Sequence, residues 1–151
     1  MSEPRARRPG YMSAYGVPEG PEGMLPWAWA EERLVPAHNY WVVTAGPHTT
    51  PVWGLWRDGS FVFSCSPTSR KARRLAEDPR IVVHLESGEE VVIVEGVADQ
   101  VEPAPDLLAD YAAKYAPVEA IVGNWYVVRP RRAFAWQEST FPKSPTRFEF
   151  D

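Results

Sequence analysis

Four basic side chains, Arg70, Lys71, Arg73 and Arg74, follow Ser69 within the segment SRKARRLAED, and Glu77 and Asp78 close it. The segment reads as a helix that stops at Asp78-Pro79. A helix N-terminus carries about half a positive charge and favours acidic neighbours. Here both ends carry the opposite sign, and each misplaced charge costs about 0.3–1 kcal/mol at an exposed site. Two explanations stand side by side. An anion at Ser69–Arg70–Lys71 would accept hydrogen bonds from the backbone N–H groups, the Ser69 hydroxyl and the two cations. Alternatively, Arg73–Glu77 and Arg74–Asp78, each four residues apart, would offset about 0.2–0.5 kcal/mol per pair. That pairing leaves Arg70 and Lys71 unexplained.

The remaining reactive side chains form no motif. His38, His48 and His84 have no H-x-x-H or H-E-x-x-H spacing, so no metal site is expected. Cys65 could pair with His84 as a nucleophile, but a small cysteine at a strand end is first of all a packing residue. There is no G-x-S-x-G and no G-x-G-x-x-G. Trp125 and Tyr126 read as core, and Glu86, Glu89 and Glu90 as a solvated hairpin end. His48 reads as a turn-capping or solvent-facing residue. No side chain is marked as a catalytic acid.

The elements that must position these residues are mostly strands. NYWVVTA, TTPVWGLW, SFVFSC, RIVVHLES, EEVVIVEGVADQVE, WYVVRPRRAFAWQ and SPTRFEF are β-branched, aromatic or alternating, with turns between them. Pro51 inside TTPVWGLW implies an edge or a bulge, and Gly54 allows close approach of a backbone or a ligand. WAWAEERL is a short helix placing Trp27, Ala30 and Leu34 on one face, and PDLLADYAAKYA is another, with Pro105 near its start. About seven hairpin-linked strands with connector helices predict a small antiparallel barrel, a mainly β fold. Residues 1–24, rich in Pro, Gly, Arg and Ser, read as a flexible tail. Residues 25–151 form the single domain.

Several of these segments, taken together, resemble a known family. HTTPVWGLW, a DG turn, FVFS, SRKARRLAEDPRIVVHLES and VVIVEGVA are similar to the pyridoxamine 5′-phosphate oxidase-like flavin/deazaflavin split-barrel proteins. The nearest branch is the one associated with coenzyme F420. The resemblance runs from about Trp27 to the C-terminus. It implies a six-stranded antiparallel split β-barrel, usually a homodimer, with F420 or FMN at the subunit interface and a small-molecule substrate. It places the cofactor phosphate on Ser69, Arg70 and Lys71, and the ring along Thr50, Pro51, Val52 and Trp53. It adds contacts from Ser64 and Cys65.

Three departures qualify it. Ala45-Gly46-Pro47 leads straight to His48, a shorter first hairpin than relatives carry. Val91 stands where the true oxidases place a glutamine. Their substrate-binding C-terminal segment is not recognisable in SPTRFEF. The expected activity is therefore hydride transfer to or from a small organic substrate, not pyridoxamine phosphate oxidation. The competing reading is a cofactor carrier without catalysis.

Charge and composition narrow the partners. The formal net charge of -4 disfavours a general nucleic-acid binder. No apolar run approaches the roughly 20 residues of a membrane span, and the N-terminus has no apolar signal region. One cysteine gives no internal disulfide. A cytoplasmic protein is the expectation.

Overall fold

The computed structural model describes residues 3–116 and 123–151. One mainly antiparallel sheet dominates it. Its strands are β1 (Arg5–Arg7), β2 (Tyr40–Thr44), β3 (His48–Val52), β4 (Gly54–Arg57), β5 (Ser60–Cys65), β6 (Arg80–His84), β7 (Glu90–Val101), β8 (Asn124–Gln137) and β9 (Thr146–Glu149). Three α-helices connect them: α1 (Trp27–Leu34), α2 (Arg70–Glu77) and α3 (Pro105–Tyr115).

The strand order is β1-β9-β8-β7-β6-β2-β3, and β5 joins β8 to β4. β3 and β4 therefore lie at the two ends of the run β3-β2-β6-β7-β8-β5-β4, yet only Trp53 separates them in the chain. The sheet thus returns to its starting point, as a split barrel does. Burial follows from which faces are covered. In β2, Tyr40, Val42 and Thr44 are buried while Trp41 and Val43 are half-buried, the alternation of a strand with one covered face. In β5, Phe61, Val62 and Phe63 are all buried. Phe61 and Phe63 join the main core with Trp27, Ala30 and Leu34 of α1. Val62 points the other way, into a second cluster with Leu107, Tyr111 and Tyr115 of α3 and Trp125.

Two departures from the sequence expectation are informative. The segment TTPVWGLW is not one strand; it divides at Trp53 into β3 and β4. A side chain at Gly54 would begin 2.3 Å from the Phe61 ring and 2.7 Å from the Val62 carbonyl oxygen. Glycine is required there because the bend presses the backbone onto β5.

The N-terminal segment is also not a free tail. β1 pairs with β9, and Met12 and Val17 are buried. The Arg8 guanidinium donates to the carbonyls of Gly20 (2.9 Å), Glu22 (2.7 Å), Lys143 (2.6 Å) and Pro145 (2.9 Å). Composition could not reveal this, because scattered long-range contacts, the β1–β9 pairing, Met12, Val17 and the Arg8 guanidinium, tie the segment down rather than an apolar period.

Candidate functional site

Ser69 caps α2 and its side chain accepts a hydrogen bond from the Ala72 N–H at 3.2 Å. The loop Ser66–Pro67–Thr68 delivers the chain from β5 to this cap, with the Ser69 N–H donating to the Ser66 carbonyl at 3.0 Å. The backbone N–H groups of Arg70 and Lys71 therefore open the helix without a partner among the described residues. Neither side chain forms an ion pair among those residues.

The internal pairing expected to balance the helix is weaker than its spacing suggests. Arg74 reaches Glu77 only at 4.0 Å. Asp78 turns away from the helix and binds Arg80 at 2.6 Å. That side-chain hydrogen bond holds the Asp78 carboxyl down at about 2. Arg73 has no carboxylate partner among the described residues. The expected Arg73–Glu77 and Arg74–Asp78 pairs are thus not the ones formed, because β6 begins at Arg80 and brings a nearer cation to Asp78.

β3 brings one more basic residue, His48, towards this helix. The turn between β2 and β3 rests against α2, so closely that a side chain at Gly46 would begin 2.9 Å from Arg74 Nε. Gly46 has φ +107°, the left-handed region, so both its conformation and its surroundings favour glycine. His48 follows at once. Its imidazole pKa is lowered below the ordinary value of 6.5, by desolvation and by the positive fields of Arg70, Lys71 and Arg74. The solvent-facing role read for His48 in the sequence missed this neighbourhood, since the helix and the turn are far apart in the chain.

Thr50 and Val52 share the inward side of β3 with His48, and Thr49 and Pro51 face outward. Thr50 Oγ1 and Arg74 Nε are both buried with no hydrogen-bond partner among the described residues. Such orphaned atoms are uncommon in folded proteins. At the far end of the strand Trp53 is 43% exposed. Its indole stacks on Tyr115 at 4.7 Å and 6°, with His38 edge-on at 5.6 Å.

Ser64 and Cys65 end β5, both half-buried. The ladder sets Gly54 opposite Phe63, so the residues adjoining that pair are Trp53 and Ser64. A side chain at Gly123 would begin 2.9 Å from Ser64 Oγ. β3 thus links two places: the basic helix start near His48 and the aromatic group at Trp53. Trp125 and Tyr126 are buried in the core. Glu90 departs from its reading as a solvated residue and pairs with Arg33. A groove of about 710 Å³ borders this region at Thr44, Ala45, Asp78 and Arg80 and otherwise runs past Ile81, Gly96 and Arg132. No three His, Cys, Asp or Glu side chains converge as a metal-binding group among the described residues.

The comparisons with known proteins agree with this architecture. A family model described as pyridoxamine 5′-phosphate oxidase matches residues 31–141. The chain belongs to that family. Solved structures share its split-barrel fold at low identity. One is described as an F420 reductase: 17% identity, 68% of this chain and 94% of that one covered, TM-score 0.56. A FAD-binding protein from Mesorhizobium loti has 13% identity, 84% and 96% covered, and TM-score 0.59. A heme storage protein from Vibrio cholerae has 14% identity, 72% and 90% covered, and TM-score 0.58. No curated protein matches the chain in sequence. The family thus has structural neighbours that bind F420, FAD or heme.

Proposed function

We propose that this chain binds coenzyme F420, with FMN as the second choice, and moves a hydride to or from a small organic substrate. The observation that carries the reading is the cationic cluster at the start of α2. Arg70 and Lys71 lack carboxylate partners among the described residues, and their positive fields, with that of Arg74 in the last turn of the helix, reach His48. Two backbone N–H groups at the start of α2, those of Arg70 and Lys71, have no partner among the described residues, and the Ser69 hydroxyl caps the same turn. This donor set suits a phosphate dianion: several N–H and O–H groups with no acceptor of their own.

Ser69, Arg70 and Lys71 would hold the cofactor phosphate. Pro51, Val52 and Trp53 would flank its ring, with Thr50, Ser64 and Cys65 completing the seat. β3 spans about 17 Å from His48 to Trp53, room for a phosphate at one end and a planar ring at the other. The bound cofactor would supply the hydride chemistry. The chain's part is to fix the phosphate, orient the ring against Pro51, Val52 and Trp53 and exclude water. A second copy of the chain would close the seat, which in one chain lies open to solvent along β3. The cytoplasm is the compartment we propose.

The test is a titration of the apo-protein with F420 and with FMN, followed by ring fluorescence. Saturable binding of at least one supports the reading; binding of neither refutes it. The heme storage neighbour favours a second reading, a carrier that binds a cofactor without turnover. Redox turnover by the loaded protein would exclude that alternative.

A further inference from the structure

The break between β3 and β4 removes ladder partners from the backbone beside Trp53, and the end of α3 replaces them. The Gly54 N–H donates to the Tyr115 hydroxyl oxygen at 2.9 Å. The same hydroxyl donates its one proton to the carbonyl of Gly54 or of His38, each at 2.8 Å. Next to it, the Lys114 ammonium donates to the Gly54 carbonyl at 3.0 Å, the Tyr40 hydroxyl at 2.9 Å and the Val35 carbonyl at 3.4 Å. Its three protons thus have three acceptors, from α1's end, β2 and β4. It also lies 4.8 Å from the Tyr40 ring centroid and 5.2 Å from that of Tyr115.

We infer that Lys114 and Tyr115 are positioning residues that hold the Trp53 indole as a fixed aromatic wall beside the ring-binding strand. The role in ring binding rests on the cofactor reading above; the hold on Trp53 does not. An exposed tryptophan at a strand break would otherwise sample several rotamers. Here one face is stacked on Tyr115, and the backbone of the next residue is bound on both its N–H and its C=O. A planar ligand meeting the exposed side would then meet a preorganised surface, which lowers the ordering cost of binding.

The ammonium form matters to this arrangement. A neutral amine has two protons and cannot serve three acceptors. Burial lowers the Lys114 pKa to about 8. The other titratable groups around it are Tyr40 and Tyr115, both raised by burial. His38 packs edge-on against Tyr115. Asp110, one turn back on α3, is bound to Arg57. The wall should loosen as pH rises through about 8. Global stability should not fall in that window, because the unfolded chain then holds the proton more tightly than the folded one.

The test uses near-ultraviolet circular dichroism of the full chain, with the difference between wild type and Trp53→Phe isolating the Trp53 signal. That signal is expected to weaken in Lys114→Met and in Tyr115→Phe. In the unchanged protein it is expected to weaken above pH 8. Ring-cofactor affinity is expected to drop about three- to tenfold in Lys114→Met, the range one aromatic stack is worth. A Trp53 signal indifferent to both substitutions and to pH overturns the positioning role. A changed signal with unchanged cofactor affinity overturns its part in binding. If wild type binds neither F420 nor FMN, the cofactor reading fails, and the dichroism alone judges the hold on Trp53. If Lys114→Met does not fold, the pH titration of the unchanged protein decides.

Discussion

At the residue scale, charge decides most of the account. The His48 pKa is lowered by desolvation first, and then by the positive fields of Arg70, Lys71 and Arg74. Below about pH 6.5 the unfolded chain takes up a proton at this position before the folded one does, so this residue makes stability fall as pH drops there. A bound anion reverses the local field and raises the imidazole pKa, so anion binding takes up a proton. Sulfate, whose charge is constant in this range, should therefore bind more tightly at pH 6 than at pH 8. His48→Asn should flatten that dependence. Isothermal titration with sulfate checks it, and equal slopes in the two proteins would remove His48 from the seat. The basic helix start was legible in the sequence, since Arg70 and Lys71 oppose the helix dipole whatever surrounds them. His48 was not, because its role comes from the turn at Gly46 packing against Arg74, a long-range contact that no local spacing encodes.

At the scale of elements, the division of one expected strand into β3 and β4 is the feature with most consequence. Pro51 and Gly54 signalled an irregular strand, but not that Trp53 would be the break. That outcome depends on Phe61 packing directly beneath Gly54, a contact across the β4–β5 hairpin. Gly54→Ala would drive a methyl group into the Phe61 ring and the Val62 carbonyl. It should cost about 1–3 kcal/mol, read as a lower urea midpoint with the slope unchanged. A midpoint equal to wild type would mean that the bend has room the contacts deny. The helices were read closely from sequence, with α1 at Trp27–Leu34 and α3 opening on Pro105. Proline and apolar spacing define both locally.

At the scale of the molecule, strand count and closure follow from the same two surprises. About seven strands were expected; the split at Trp53 and the added edge β1 make nine among the described residues. The hold on the N-terminal segment is concentrated in Arg8. Arg8→Ala should lower stability by about 1–3 kcal/mol, measured by urea unfolding. A loss within error would mean that β1 and the buried Met12 and Val17 suffice. The proposed closure of the seat by a second copy predicts twice 17.0 kDa by light scattering. A monomer that binds cofactor at full affinity would refute it.

The central claim is that the start of α2 seats a cofactor phosphate. The most direct test compares wild type with Arg70→Ala/Lys71→Ala in a fluorescence titration with F420 and FMN, with melting temperatures measured alongside. Two charged contacts at about 1.5–3 kcal/mol each predict a loss of about a hundredfold or more in affinity, with melting little changed. Equal affinity in the two proteins would contradict the account.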